Sequence, residues 1–189
     1  MDEEQLTQRA RGGDSDAFEE IFCLYHARIY SYVYRLLGNV QDAEDLTQDS
    51  FLKAYRALLR GEKPLDLSAW LYRIASNTCL DMLRRRRLIH WQPLENLLAV
   101  LTAGGRTSEE EVLRNEQQFE QRAKIERVLA QLRPRYRMYL ILREREGFSY
   151  QEIASITGDS LNTVRVTLYR ARERARRLAS RLRREDEQP

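Results

Sequence analysis

Apolar residues recur at steps of three and four positions along most of this chain, which is the spacing of amphipathic α-helices. Four such stretches lie before residue 90, and turn-forming residues separate them. Gly12 and Gly13 end the first stretch, Asp14 or Asp16 is expected to cap the second, and Gly38 ends it. Alternating patterns typical of strands are nearly absent, and only eight glycines and four prolines interrupt 189 residues. The pattern therefore predicts an all-α protein.

The third stretch, GNVQDAEDLTQDSFLKAYRAL, carries its acidic residues in the first half. Its apolar positions are expected to face the core, which leaves a row of polar side chains at the surface: Asp42, Glu44, Asp45, Gln48 and Asp49. Ser68 is expected to cap the fourth stretch, which runs into four consecutive arginines at residues 84–87. These helices place a first domain at residues 1–90.

Residues 91–110 hold no sustained helical pattern and contain Pro93, Gly104 and Gly105, so we interpret them as a linker between two domains. The first half of this linker is too apolar for a freely solvated tether. The segment is expected either to fold against one of the two domains or to lie in a channel of a partner, and the sequence favours neither. A second domain follows at residues 111–189. Its first helices are predicted to pack beneath the end of the chain through Ile125, Val128, Leu129, Leu132, Tyr136, Tyr139 and Leu142.

The segment from Ser149 to Arg177 has the pattern of a helix-turn-helix. Ser149 and Glu152 have the spacing of a capping box, which predicts the start of a first helix, and Gly158 predicts its end. Asp159 is expected to cap a second helix. The apolar residues of that helix form one buried stripe: Leu161, Val164, Leu168, Ala171, Ala175, Leu178 and Leu182.

Arginine dominates the opposite, exposed face of this second helix. Residues 165–184 include nine arginines and a single acidic residue, Glu173, so the charges cannot be balanced by pairs within the helix. An ordinary solvated basic face is the simpler interpretation, but so large an excess favours an anionic partner. Arginines far along the helix suit DNA phosphates, whereas the first exposed turns suit base edges. The candidates for reading bases are Asn162, Thr163, Arg165, Val166, Thr167, Tyr169 and Arg170.

Charge distribution and rare residues exclude several classes of function. The net charge is only +3, yet the bases collect at residues 84–87 and along the last helix, which suggests two separate contacts with nucleic acid. No apolar run could span a membrane and no signal peptide pattern begins the chain, so we expect a cytoplasmic protein. Cys23 and Cys79 are expected to be buried, reduced thiols. His26 and His90 lack the neighbours of a metal or hydrolytic site, so we predict neither a cofactor nor enzyme activity.

Four segments, in this order, resemble the extracytoplasmic-function (ECF) group of bacterial RNA polymerase sigma factors: GDSDAFEEIF, DAEDLTQDSFLKAYRAL, AWLYRIASNTCLDMLRR and LREREGFSYQEIASITGDSLNTVRVTLYRARER. The resemblance covers nearly the whole chain, and the four segments together are far more specific than any one of them. It implies a subunit that binds core RNA polymerase, directs it to promoter DNA and catalyses no reaction itself. Control by a separate anti-sigma factor is usual in the group and is expected here.

The resemblance also assigns roles to residues of the N-terminal domain. The acidic helix is similar to the one that docks on the clamp of the polymerase, although a solvated acidic face is the simpler interpretation of its composition. The implied docking residues are Asp42, Asp45, Leu46, Gln48, Asp49 and Phe51. The fourth helix is similar to the one that handles the −10 promoter element as it opens, where an aromatic ring, an amide and guanidinium groups suit an unstacked strand. The implied −10 residues are Lys53, Trp70, Arg73, Asn77, Arg84 and Arg85, and a core position for Trp70 is nearly as well supported.

By the same resemblance, the last helix enters the major groove at the −35 promoter element. The implied −35 residues are Asn162, Thr163, Arg165, Val166, Thr167, Tyr169, Arg170 and Arg172. Two positions depart from the group, which often has glycine where Asn162 stands and a small polar residue where Val166 stands. The base preferred by position 166 is therefore left open.

Two other classes of function are compatible with the sequence. A stand-alone helix-turn-helix regulator would bind paired half-sites as a dimer, with residues 1–90 as a sensing or dimerisation domain. An interaction module would use the acidic helix as a protein interface and would bind nucleic acid without sequence preference. Co-purification with core polymerase separates the sigma-factor prediction from both.

Overall fold

A computed structural model of the chain describes residues 2–89 and 123–186. Over these residues the fold is helical, as the pattern predicts. The N-terminal helices are α1 (Glu3–Arg11), α2 (Ser15–Leu37), α3 (Val40–Leu59) and α4 (Leu67–Ile89). The C-terminal helices are α5 (123–131), α6 (Pro134–Leu140), α7 (Tyr150–Thr157) and α8 (Leu161–Asp186), with a π turn (Ile141–Arg145) between α6 and α7. The predicted linker at residues 91–110 lies outside the described residues, as does His90.

The N-terminal helices pack around the apolar stripe of α2. Asp14, rather than Asp16, caps α2, because its carboxylate accepts from the backbone N–H groups of Asp16 and Ala17 at 3.1 Å each. Gly38 ends the helix in the left-handed conformation, with φ of 74°. The helical spacing of apolar residues in this stretch predicts a core face, and Ile21, Tyr25, Ile29, Tyr32, Val33 and Leu36 are buried, whereas Phe18 and Phe22 of the same pattern are half-buried.

Two predicted helix caps are wrong, each because a neighbouring residue takes the capping position. Asp66, not Ser68, caps α4 by accepting the N–H three residues later at 2.9 Å. Ser160, not Asp159, caps α8, and its hydroxyl accepts the N–H three residues later at 3.1 Å. A cap must lie just outside the first helical residue to reach the free N–H groups. Ser68 lies within α4, and Asp159 lies one residue too early.

The helix-turn-helix forms as predicted. Ser149 and Glu152 make both hydrogen bonds of the capping box, and Gly158 ends α7 in the left-handed conformation with φ of 72°. The stripe of α8 is buried at Val164, Leu168, Ala171, Leu178 and Leu182 and half-buried at Leu161 and Ala175. Of the residues predicted to pack beneath it, Leu132, Tyr139 and Leu142 are buried. Ile125 is 58% exposed, because it lines an open groove between α5 and α8 instead of packing in the core.

The N-terminal and C-terminal helices share one continuous core. Arg137 of α6 is almost fully buried and donates to the carbonyl oxygen of Leu36 at the end of α2, at 2.8 Å. The same guanidinium donates to the carbonyls of Leu129 and Ala130, at 2.6 Å each, so it ties three helices together. Burial lowers the pKa of Arg137 to about 10, which leaves it charged at neutral pH. This arginine therefore belongs to the fold rather than to a DNA surface.

The segment that follows the π turn makes a second contact between the N-terminal and C-terminal helices. Glu146, just after the turn, accepts a hydrogen bond from the hydroxyl of Tyr72 on α4. Phe148 packs edge-on against the ring of Tyr72, with ring centroids 4.9 Å apart. Gly147, between Glu146 and Phe148 in the chain, has φ of 80°, a conformation that favours glycine. The sequence pattern does not predict the π turn.

The two cysteines have different environments. Cys79 is buried, as predicted, and burial raises the pKa of its thiol to about 12. Cys23 is exposed, so its predicted burial is wrong: it lies two residues after the buried Ile21 and hence on the other side of α2. Both are free thiols. None of the helices in residues 2–89 and 123–186 combines the length and hydrophobicity that a membrane crossing requires.

Candidate nucleic-acid and polymerase interfaces

The first three turns of α8 carry an exposed row of side chains. Asn162, Arg165, Val166, Tyr169 and Arg170 all face solvent. Neither Arg165 nor Arg170 has a side-chain partner within the residues that the structure describes. These five residues, the α8 surface, are therefore free to meet a ligand.

Two of the predicted −35 residues are used within the protein instead. Thr167 is only 8% exposed, so its predicted exposure is wrong: it follows the buried Val164 by one helical turn and shares its face. Arg172 donates to Glu144 on the π turn at 2.7 Å and to the hydroxyl of Tyr150 at 3.2 Å. These two partners raise the pKa of Arg172. It braces α8 against α7 and is not a free charge. Of the remaining candidates, Thr163 is partly buried and its hydroxyl bonds with that of Ser160 at 2.8 Å.

A cleft of about 490 Å³ separates the α8 surface from the start of α6. Arg133, Arg135 and Tyr136 line the wall on the α6 side. Arg135 binds both carboxylate oxygens of Asp159 at 2.9 Å, whereas Arg133 is exposed and has no side-chain partner among the described residues. The sequence does not predict Arg133 as a candidate, because the short segment RPRYR holds no signal that shows which side faces α8.

Five of the −10 candidates lie on α4, and some already have partners in the chain. Arg73, Asn77 and Arg85 are exposed, and Arg84 pairs with Asp81 at 2.9 Å. Trp70 is half-buried against the core, and its indole N–H points toward Glu62 at 3.4 Å. The core interpretation of this tryptophan therefore holds in part, since the ring packs partly on the core, and its contact with −10 DNA stays a prediction.

Lys53 of α3 already has partners on α3 and α4. Its ammonium group lies 2.8 Å from the carboxylate of Asp49 and donates to the hydroxyl of Thr78 at 3.1 Å. Asp42 is likewise engaged, because Arg86 binds its two carboxylate oxygens at 2.6 and 2.7 Å. Asp42 is therefore half-buried within an ion pair, and its role in docking stays a prediction. This bidentate pair fixes the end of α4 to the start of α3.

The remaining docking candidates on α3 differ in exposure. Asp45 and Gln48 are exposed, and Leu46 is half-buried. Phe51 is only 4% exposed and packs on Phe22 with ring centroids 4.8 Å apart, so it belongs to the core. The neighbouring Leu52 is 53% exposed and offers an apolar contact that the sequence pattern does not single out.

The candidate −10 surface on α4 borders a second cavity of about 340 Å³. Asn77 and Arg84 of α4 line one side of it, and Arg133 and Arg135 line the other. The same two arginines line the cleft beside α8. In this conformation Arg133 and Arg135 therefore lie between the −10 candidates on α4 and the cleft beside α8.

Known families match both halves of the chain. The family model of Sigma-70 region 2 matches residues 21–89, and that of Sigma-70, region 4 matches residues 122–174. The ECF RNA polymerase sigma factor SigW of Bacillus subtilis is 30% identical over 177 residues, which cover 90% of this chain and 92% of the relative. The chain belongs to the ECF sigma factors. The ECF RNA polymerase sigma-E factor of Salmonella typhimurium is 35% identical to this sigma factor over 185 residues, which cover 92% of each chain.

Two solved structures share the fold of this sigma factor. CnrH, in complex with the cytosolic domain of CnrY, has a TM-score of 0.68 at 23% identity and matches 95% of this chain and 98% of its own. RpoE from Bartonella quintana, in complex with the anti-sigma factor NepR, has a TM-score of 0.62 at 23% identity and matches 86% of this chain and 96% of its own. The likeness extends over both the N-terminal and the C-terminal helices.

Proposed function

We propose that this ECF sigma factor binds core RNA polymerase and directs it to promoters, with α4 reading the −10 element and α8 the −35 element. The observation that carries the proposal is the α8 surface. It presents free arginines and an amide on the second helix of a helix-turn-helix, which is the element that enters the major groove. The sigma factor itself catalyses no reaction, since the polymerase performs the chemistry. We place it in the cytoplasm, where that polymerase acts.

The docking surface for core polymerase is proposed on the exposed side of α3. Asp45 and Gln48 are open to a partner, Asp49 is half-exposed beside Lys53, and Leu52 adds an apolar contact. A rim of carboxylates around an apolar residue suits a basic helical partner, because such interfaces combine a desolvated centre with charges that set orientation.

Control by an anti-sigma factor is proposed as well. The Bartonella quintana relative of the same fold is in complex with an anti-sigma factor. A protein that binds the contacting N-terminal and C-terminal helices together would hold this sigma factor in the conformation seen here.

Promoter binding requires the two DNA surfaces to separate. The −10 and −35 elements lie about 25 base pairs apart, or roughly 85 Å at 3.4 Å per pair. In the conformation described here, α4 and the cleft beside α8 share Arg133 and Arg135 as neighbours. One compact body cannot reach both elements, so we propose that the contacts of Arg137 and Tyr72 between the two halves break when the holoenzyme binds DNA.

The test of function is run-off transcription with purified core polymerase and a promoter library, with and without the sigma factor. We expect a defined set of promoters to be transcribed only when it is present. Binding of a palindromic site by a dimer without polymerase would instead support a stand-alone regulator. Binding without promoter selectivity would support an interaction module.

The test of separation uses the exposed Cys23 as one label site and Ser180→Cys as the other. Cys79 stays unlabelled, because it is buried and its thiol pKa is raised. We expect energy transfer between the dyes to fall when holoenzyme binds promoter DNA. A matched pair within the N-terminal helices, Cys23 with Glu44→Cys, should give constant transfer. Unchanged transfer for the first pair in an active complex would contradict the separation.

A further inference from the structure

Val166 is an exposed aliphatic side chain in the middle of the α8 surface. It is 40% exposed, although the other valine and the leucines of α8 are buried or half-buried. The core stripe therefore does not use Val166. An exposed valine is common in proteins, but this one lies where the helix is expected to meet DNA.

The neighbours of Val166 are polar. Asn162 and Thr163 precede it by one helical turn, and Tyr169 and Arg170 follow it by one turn, so all four share its side of the helix. Each of these four can form hydrogen bonds, whereas Val166 cannot. The α8 surface thus has a single aliphatic contact point surrounded by groups that can position it.

The space beside Val166 is open. It lines the cleft of about 490 Å³ whose other wall carries Arg133, an exposed arginine without a side-chain partner among the described residues. A duplex that approaches α8 can place a phosphate near Arg133 while a base edge reaches Val166. The valine is also stiff, because a β-branched side chain in a helix has one strongly preferred χ1 rotamer.

The major groove offers one base edge that suits such a group. Thymine presents its C5-methyl there, while adenine, guanine and cytosine present hydrogen-bonding groups at the corresponding edges. An aliphatic side chain against one of those polar groups would remove water from it without replacing the hydrogen bond, which is costly. Against a methyl group, the same side chain buries apolar surface on both sides.

We propose that Val166 is a specificity-determining residue that selects thymine at one position of the −35 element by packing on its C5-methyl group. The proposal rests on the proposed function, since it requires α8 to enter the major groove of a promoter. It assigns a base to the position that the sequence alone leaves open.

The experiment replaces each thymine of a −35 element, one at a time, with deoxyuridine, which lacks only the methyl group. The DNA is a promoter that the wild-type holoenzyme transcribes. We expect deoxyuridine at one position to weaken holoenzyme binding about fourfold, the effect of removing one methyl-sized apolar contact. Holoenzyme with Val166→Ala should bind the thymine promoter at least as weakly as the wild-type holoenzyme binds the deoxyuridine promoter. Its affinity should not change when deoxyuridine replaces thymine at that position.

Two further variants test the specificity of this pairing. Val166→Thr keeps one methyl group at nearly the same volume and should retain part of the response. Tyr169→Ala should lower affinity but keep the full response to deoxyuridine at the same position, because it leaves the valine in place. Val166 is exposed, so its variants are expected to fold, and circular dichroism checks that they do.

Two results would overturn the proposal: a wild-type holoenzyme that responds to deoxyuridine nowhere in the element, or a Val166→Ala holoenzyme that keeps the wild-type response. Either result leaves the proposed function standing, because the wild-type holoenzyme still initiates at that promoter. Failure of the wild-type protein to direct any promoter-specific transcription would instead defeat the proposed function.

Discussion

The two candidate DNA surfaces of this sigma factor differ in how much of their charge is already used. On α4, Arg84 pairs with Asp81, and nearby Lys53 pairs with Asp49. On α8, Arg165 and Arg170 have no side-chain partner within the described residues. DNA that binds α4 must replace an ion pair to reach Arg84, although Arg73 and Arg85 are exposed beside it. DNA that binds α8 meets the free guanidinium groups of Arg165 and Arg170. Charge alone is thus a poor measure of which surface binds more strongly.

The same difference separates structural from functional roles. Trp70 of α4 packs partly on the core, so a substitution there changes both stability and any contact with DNA. The exposed residues of α8 have no such structural role, because the buried stripe on the opposite side holds the helix in place. Substitutions on α8 should therefore report on DNA binding more directly than substitutions on α4.

The largest expected effect on stability comes from substitution of Arg137, whose guanidinium donates only to carbonyls within the fold. Arg137→Met keeps much of the side-chain length but leaves the carbonyls of Leu36, Leu129 and Ala130 without their donor. Because buried acceptors without donors are costly, we expect a loss of about 3–5 kcal/mol in the free energy of unfolding. Urea denaturation measures it.

The exposed Arg133 provides the matched control for that measurement. Arg133→Met makes the same chemical change four residues away and should alter the free energy of unfolding by less than about 0.5 kcal/mol. Equal effects of the two substitutions would break the distinction between arginines of the fold and arginines of the surface.

The next largest effect is expected at the docking surface on α3. Reversal of charge in the double variant Asp45→Lys, Asp49→Lys should abolish association with core polymerase, because a basic partner is repelled. The helical fold should be retained, since exposed ion pairs such as Asp49 with Lys53 contribute about 0–1 kcal/mol. A pull-down on core enzyme measures the association. Glu19→Lys with Glu20→Lys on α2 makes the same change in net charge and should bind normally, and wild-type affinity in the first variant would remove α3 from the interface.

A smaller effect is expected along α8, where residues that contact bases should behave differently from residues that contact only phosphates. Arg165→Ala should cost about 1–3 kcal/mol and relax the preference at particular −35 positions, because a base contact is lost. Arg177→Ala should weaken all promoters alike and reduce the salt slope by about one unit for each phosphate contact. Arg176 is a poorer probe, since it pairs with Glu173 at 2.6 Å. Promoter selection by holoenzyme, measured at two salt concentrations, tests both roles. A change of base preference in Arg177→Ala would contradict its assignment as a phosphate contact.

The smallest effect tests the paired charges of α4 directly. Asp81→Ala releases Arg84 from its ion pair, so we expect affinity for a single-stranded −10 element to rise by up to about fivefold, the upper limit for an exposed pair. Glu19→Ala removes one negative charge elsewhere and serves as the control. An equal rise in both variants would show that net charge, and not the release of Arg84, determines binding.

The fold is predictable from sequence where the signal is local. Helical periodicity locates the helices, and the capping box at Ser149 with Glu152 locates the start of the helix-turn-helix. The caps of α4 and α8 are mispredicted because two good capping residues stand close together at each site. Only the path of the preceding loop decides whether Asp66 or Ser68, and whether Asp159 or Ser160, meets the free N–H groups.

The candidate site is less predictable, because burial of polar residues depends on distant parts of the chain. In the sequence, Arg137 resembles any surface arginine, but its partner at Leu36 lies 101 residues away. Asp42 resembles an open acidic residue until Arg86 is placed opposite it. Thr167 could have been assigned correctly, since its distance of one turn from Val164 puts it at the edge of the buried stripe.

The π turn at Ile141–Arg145 makes the length of this segment a constraint on how the protein can evolve. Glu146 and Phe148 reach Tyr72 only because the wider turn delivers them to the side of the chain that faces α4. Loss of one residue within the turn would rotate everything after it by about 100°, the angle between successive residues of an α-helix. A single deletion would turn both side chains away from Tyr72 and the helix-turn-helix with them.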